Sequence, residues 1–127
     1  CIRDRMATGI KVPFINENKS MREAIKTISK KKLGVVIVRN RNRVTTGIIT
    51  DGNIRKLKQK NIDFQKTLAK DVMTKNPITI TSDSLAIKAL RIMNEKKITS
   101  LCVINGKNSN KTTGLIHIHH ILETNIE

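Results

Sequence analysis

Three histidines, His117, His119 and His120, fall within four positions of one another near the end of a 127-residue chain. Imidazoles so placed could hold a phosphate, or could ligate Zn, Ni or Cu through neutral nitrogens. His117 and His119 sit two apart where an apolar run gives way to a helix start, and no fourth ligand is marked, so a weak, adventitious metal site is the most the pattern supports. The simpler reading is polar residues at a strand end and helix start. In the first half, Thr50-Asp51-Gly52-Asn53 follows a similar apolar run. Thr50 or Asp51 there caps a helix beginning near Asn53, because a side-chain oxygen accepts from the free N–H groups of a first turn. Cys1 and Cys102 have no CxxC or Cys/His spacing around them, and Cys102, inside an apolar run, reads as a core filler. No positioned base-and-acid pair is marked anywhere in the chain, so no catalytic residue is assigned.

Charge narrows the partners. The chain carries 25 Lys+Arg against 10 Asp+Glu, a formal +15, which attracts polyanions at low salt. Its densest groups, Lys30-Lys31-Lys32, Arg39 to Arg43 and Lys56 to Lys60, fall where solvated helix ends and turns fall. With Phe14 and Phe64 as the two aromatic residues, the stacking groups of nucleic-acid readers are missing. A solvated basic surface is therefore expected rather than a nucleic-acid face. A hydrophobic content of 38% suffices for an aliphatic core, and length alone predicts one compact domain. No apolar run approaches the roughly 18 to 20 residues that span a bilayer, and no signal-peptide centre is present, which predicts a soluble, cytoplasmic protein. The opening Cys1-Ile2-Arg3-Asp4-Arg5, without an initiator Met, reads as an excerpt of something longer.

The elements that must position these residues occur twice. Met21, Ala24, Ile25 and Ile28 are spaced as one helix face, and Ala86, Ala89, Leu90 and Met93 repeat the pattern about 65 residues later. Each helix leads through a basic turn to a buried strand, Val35-Val36-Ile37-Val38 or Leu101-Cys102-Val103-Ile104. A polar hairpin follows (Arg39 to Arg43; Asn105 to Lys111), then Thr46-Gly47-Ile48-Ile49-Thr50 or Thr113-Gly114-Leu115-Ile116-His117. The two strands of each copy are antiparallel if the hairpin is short. Each copy closes on a short helix, Asn53 to Lys60 or His119 to Glu123, and opens with an Asp-x-Met phrase: Asp4-Arg5-Met6-Ala7-Thr8 or Asp71-Val72-Met73-Thr74. The expected order per copy is strand, helix, strand, strand, helix. A unit of about 60 residues is marginal alone, so the copies are expected to pack sheet against sheet, with a ligand cleft where their loops converge.

The Asp-x-Met openings, the helix, the apolar strand and Gly47-Ile48-Ile49-Thr50-Asp51-Gly52-Asn53 together resemble a tandem pair of cystathionine-beta-synthase (CBS) domains, a Bateman module. More narrowly, that phrase continued to Arg55, Asp71-Val72-Met73-Thr74, Ile98 to Val103 and Gly114 to His120 are similar to the C-terminal regulatory half of bacterial D-arabinose-5-phosphate isomerases. The resemblance implies an α/β (α+β) pair with pseudo-two-fold symmetry, small sheets packed with helices, and repeats at residues 1–67 and 68–127. It also implies an upstream sugar-isomerase (SIS) domain, absent from this chain, in a parent that interconverts ribulose 5-phosphate and arabinose 5-phosphate on the route to the lipopolysaccharide sugar Kdo. The chain itself is then a regulatory module; the alternative is a ligand-free oligomerisation module.

In the family pattern Gly-h-h-Thr/Ser-x-x-Asp, the hydroxyl meets a phosphate at a helix N-terminus and the carboxylate accepts from both ribose hydroxyls. Thr50 and Asn53 stand at those places, with Asp51 between them, and Asn in place of Asp weakens ribose binding without abolishing it. Capping alone remains the competing role for Thr50 and Asp51. In the second copy, His117 stands at the Thr position and His120 at the Asp position. Arg3, Arg5, Lys11 and Arg55 are further phosphate contacts or plain surface cations. The resemblance implies an adenine or cytidine nucleotide or a nucleotide-sugar as effector, no required cofactor, and a homodimer or higher homo-oligomer.

Overall fold

The computed structural model describes residues 7–8, 12–31, 34–106 and 109–118. Where length alone predicts one domain, the chain divides into two compact units: Pro13–Pro77 is one, and Cys1–Val12 with Ile78–Glu127 is the other.

The unit Pro13–Pro77 holds a four-stranded sheet whose strands neighbour one another in chain order. Strand β2 (Phe14–Asn16) runs parallel to β3 (Val35–Arg39), and the helix α1 (Met21–Lys31) makes the crossover that a parallel pair requires. β3 turns into the antiparallel β4 (Thr45–Thr50), which is followed by α2 (Asp51–Gln59), the one-turn helix α3 (Ala69–Val72) and the edge strand β5 (Thr74–Lys75). Met21, Ala24 and Ile28 are buried on one face of α1 against Ile15, Val36, Val38 and Ile49. This is the stripe expected from the i, i+3, i+7 spacing. Each of the larger side chains among them, Met, Ile or Val, contributes about 1.5–3 kcal/mol on burial.

The other unit repeats the plan. β6 (Thr79–Thr81) is parallel to β7 (Ser100–Ile104) across α4 (Ala86–Lys96), and β7 is antiparallel to β8 (Thr112–His117). The fourth strand comes from the start of the chain: β1 (Ala7–Thr8) pairs with β8, giving the order β1-β8-β7-β6. Ala86, Ala89 and Met93 pack on Leu101, Val103 and Ile116.

The repetition extends to single bonds. A register shift follows Val38 in one sheet and Val103 in the other. Thr46 donates its hydroxyl to the Val38 carbonyl at 3.3 Å, and Thr113 to the Val103 carbonyl at 3.2 Å. Both short hairpins are antiparallel, as their length predicts.

Three expectations change. β2 and β6 are missing from the sequence-derived order, because three residues are too few to declare a period. Asp71-Val72 belongs to α3 rather than to an opening strand, since the Ala69 and Lys70 N–H groups are drawn onto the Lys19 and Glu17 carbonyls at 2.8 and 3.0 Å. The opening strands, β5 and β1, are each paired with the last long strand of the preceding or following repeat, so the sequence repeat and the spatial unit differ by one short strand. The helix expected over His119 to Glu123 lies outside the described residues.

Candidate functional site

β4 delivers the phrase Gly47-Ile48-Ile49-Thr50 to the start of α2. Gly47 is required there: a Cβ would lie 2.7 Å from Met73 Cγ and 2.9 Å from Met73 Cβ, so β5 closes over this position only because no side chain is present. Thr50 is extended at φ −115, ψ 167 and is the N-cap, which starts α2 at Asp51, two residues before the expected Asn53.

Thr50 and Asn53 form a reciprocal capping box. Asn53 N–H donates to Thr50 Oγ1 at 3.4 Å, and Asn53 Oδ1 accepts from the Thr50 N–H at 2.9 Å. The same Oδ1 also accepts from the Thr50 hydroxyl at 3.0 Å. Both side chains are half-buried. The Asn53 oxygen thus carries two donors from Thr50, and its amide NH2 is the group left for an outside acceptor.

Asp51 is exposed as the first helical residue, where its charge is favourable beside the N-terminal end of the helix dipole. Its N–H donates to the Gly34 carbonyl at 3.1 Å. Gly34 adopts φ +71, and a Cβ there would stand 2.9 Å from Asp51 Oδ2. This residue was not singled out by pattern reading; the signal was a lone glycine immediately before an apolar run. Arg55 is exposed one turn further along α2.

In the other unit His117 ends β8 opposite Ser100, just as Thr50 ends β4 opposite Val35. The Ile118 N–H donates to the Thr99 carbonyl at 2.7 Å, matching the bond from Asp51 to Gly34. His117 is half-buried. His119, His120, Arg3, Arg5 and Lys11 lie outside the described residues. Among the described residues no group of three or more His, Cys, Asp or Glu side chains converges as a metal site, and no helix is long and apolar enough to cross a membrane. Cys102 is fully buried, as a core filler should be, and burial pushes its thiol up to about 11 despite an opposing hydrogen bond from Thr112.

The two four-stranded sheets share one plan, and the last long strand of each ends on a candidate side chain, Thr50 or His117. The CBS domain model matches residues 2–60 and again residues 69–127, so the chain belongs to the CBS domain family and carries the domain twice in tandem. Arabinose 5-phosphate isomerase KdsD of Escherichia coli O6:H1 is 30% identical over 125 residues, which is 98% of this chain and 37% of that protein. The chain therefore spans little more than a third of the length of the curated relatives it matches. Among solved structures, the CBS domain pair of protein MJ0100 in complex with 5-methylthioadenosine and S-adenosyl-L-methionine gives a TM-score of 0.84 at 21% identity, over 97% of this chain and 93% of that one. CBSX2 in complex with AMP gives 0.81 at 19% identity, over 98% and 95%. These likenesses show a shared fold.

Proposed function

We propose that the chain is the regulatory module of a sugar-phosphate isomerase, which binds a small adenosine-type or other phosphorylated effector and passes that binding to a catalytic domain elsewhere in a longer protein. The observation carrying this reading is the match to KdsD over 98% of this chain and 37% of the relative, so that similarity is confined to the duplicated module. The parent reaction, exchange of arabinose 5-phosphate and ribulose 5-phosphate for lipopolysaccharide sugar synthesis in the cytoplasm, belongs to the same proposal, as do repeats bounded at 1–67 and 68–127.

The effector reading rests on Thr50 at the start of α2, and on two fold neighbours whose complexes hold AMP or adenosyl compounds. A phosphate at the α2 N-terminus would meet the positive end of the helix dipole, although the Asp51 and Asn53 N–H groups already donate to the Gly34 carbonyl and to Thr50 Oγ1. Asn53, with its oxygen engaged by Thr50, would offer ribose a donor rather than a paired acceptor. In the second repeat His117 and His120 would take the corresponding places, so the two sites are not equivalent. Calorimetry with a panel of adenine and cytidine nucleotides and nucleotide-sugars tests this. Binding at or below the millimolar range, weakened by Thr50→Ala, is expected; no binding by any member would leave the oligomerisation reading in its place.

A homodimer or higher oligomer is supported by α4. Leu85 takes the N-cap position there with no side-chain cap bond, and Leu85 and Ile87 are 62% and 65% exposed. Ser20, its counterpart before α1, accepts instead from the Glu23 N–H at 3.4 Å. An apolar side chain kept at a capping position gives up helix stability and leaves surface for a partner. A sedimentation profile that stays monomeric at high concentration would remove the pairing claim alone.

A further inference from the structure

The hairpin joining β3 to β4 carries Arg39, Arg41 and Arg43 within five residues. It lies at the opposite end of β4 from Thr50, about 17 Å along a six-residue strand, and so is separate from the effector site discussed above. The turn is firmly held. Asn40 Oδ1 accepts from the Asn42 N–H at 2.9 Å and the Val44 N–H at 3.1 Å, while the Asn40 N–H donates to the Val44 carbonyl at 3.0 Å.

Arg39 is half-buried with its guanidinium carbon 4.0 Å from the centroid of the Phe14 ring, which fixes the plane of the fork. Arg43 stands at φ 64, a left-handed conformation that favours glycine or asparagine. The hairpin of the second unit contains a glycine at positive φ, Gly106, and there Ile104 replaces Arg39 on the strand. Partial burial first, and the Arg43 charge second, hold the Arg39 guanidinium below the usual arginine range. Among the described residues no carboxylate forms an ion pair with Arg39, Arg41 or Arg43. The ion pair of Lys26 with Glu23, at 4.0 Å, lies on α1 and not on the hairpin. Glu17, whose backbone N–H donates to the Arg39 carbonyl at 2.9 Å, makes no such pair.

We propose that the β3–β4 hairpin is an anion site for a phosphate monoester, held by the forks of Arg39 and Arg43 with Arg41 at the rim. A dianion answers two neighbouring cations that no described side chain neutralises, and a planar fork matches phosphate oxygens two at a time. The unit Pro13–Pro77 holds about two-thirds of the basic residues and half of the acidic ones, so its net charge attracts anions to this unit. The ligand is small, because the cluster spans one turn. Free inorganic phosphate and the phosphate of a sugar share this chemistry.

The test is a titration of the full chain with inorganic phosphate and, separately, with ribose 5-phosphate at constant ionic strength, followed by NMR of the backbone amides and the arginine Nε–H groups. Saturable shifts centred on Asn40 to Val44 and on the Arg39 and Arg43 side chains are expected. Tighter binding of the sugar phosphate would assign the ligand to that source, and equal binding would assign it to phosphate alone. Arg43→Gly, which the positive φ accommodates, should weaken binding about tenfold with no loss of melting temperature. The milder Arg41→Gln, at an exposed position, should weaken it two- to threefold. Shifts that fail to saturate or spread evenly over the lysine-bearing surface would overturn the site, as would unchanged affinity in Arg43→Gly. Tighter binding of a single-stranded oligonucleotide through the same residues would overturn it in favour of a nucleic-acid face.

Discussion

Thr50 holds α2 and Asn53 together, so any ligand role it has is added to a structural one. Thr50→Ala removes the cap hydroxyl, and a cap of this kind is worth about 1 kcal/mol. The melting temperature should fall accordingly, and a Thr50→Ser variant should restore it. Asn53→Asp keeps the acceptor for the Thr50 N–H and adds a negative charge in the first turn, where the helix dipole favours it. It should leave the fold intact or slightly stabilised, and it should tighten any nucleotide that presents ribose hydroxyls to this end of α2. A variant that folds but gains nothing toward such a nucleotide would detach Asn53 from ribose recognition. Cys102 gives a pH signature. Its folded thiol is raised to about 11 and the unfolded thiol ionises near its ordinary value, so the unfolded chain loses the proton first as pH climbs. The contribution of this group to stability is complete below about pH 9 and declines as pH rises from there until the folded thiol itself ionises, near pH 11. In a Cys1→Ser background, an aromatic disulfide reagent at pH 8 should leave the native protein unlabelled and react once denaturant is added. Rapid labelling without denaturant would contradict the burial.

At the scale of elements, the two repeats share topology and differ in how they start and close their helices. Ser20 supplies α1 with a capping hydroxyl, whereas α4 begins at Leu85 with none. Leu85→Ser should therefore raise thermal stability by about 1 kcal/mol if the chain is monomeric. If Leu85 faces a second copy, the same substitution should weaken association, a change that sedimentation would detect. Gly47 sets a second constraint, between β4 and β5. Gly47→Ala drives a Cβ into the Met73 side chain and should cost about 1–3 kcal/mol by chemical denaturation. Because the clash is with a flexible side chain, pairing it with Met73→Ala should recover part of the loss, and a double-mutant cycle measures that coupling. Strict additivity would show that the two residues do not meet.

For the molecule as a whole, the proposed regulatory role predicts that this chain does not catalyse by itself. The purified 127-residue chain should give no measurable turnover of arabinose 5-phosphate, whereas a longer protein containing a sugar-isomerase domain should. Turnover proportional to the concentration of this chain, and lost on changing His117 or His120, would overturn that division of labour. The charge of +15 also has a consequence at this scale. Weak anion binding by scattered cations should fade as salt rises, because screening acts over about 8 Å at physiological ionic strength, while binding at α2 or at the Arg39 hairpin should persist.

The amino-acid order alone determined the α1 and α4 stripes, written in spacings of three and four, the buried runs of β3 and β7, written as continuous apolar residues, the antiparallel hairpins, written in loop length, and the duplication, written in the return of the pattern about 65 residues later. It also carried the phrase Gly47 to Asn53 and its alternative roles. The short strands β2 and β6 were illegible, since three residues define no period and owe their pairing to neighbours brought near by the α1 and α4 crossovers. The exchange that pairs β1 with β8 was equally hidden, since partners so far apart in sequence leave no local mark. Capping of α2 by Thr50 was readable from residue type, but the engagement of the Asn53 oxygen by two donors from Thr50 was not. Which lone pairs remain for a ligand depends on side-chain rotamers, and only the packed helix start fixes those. The placing of Arg39 over Phe14 has the same origin, a contact across the parallel pair β2 and β3 that exists only once the crossover helix has brought the strands together.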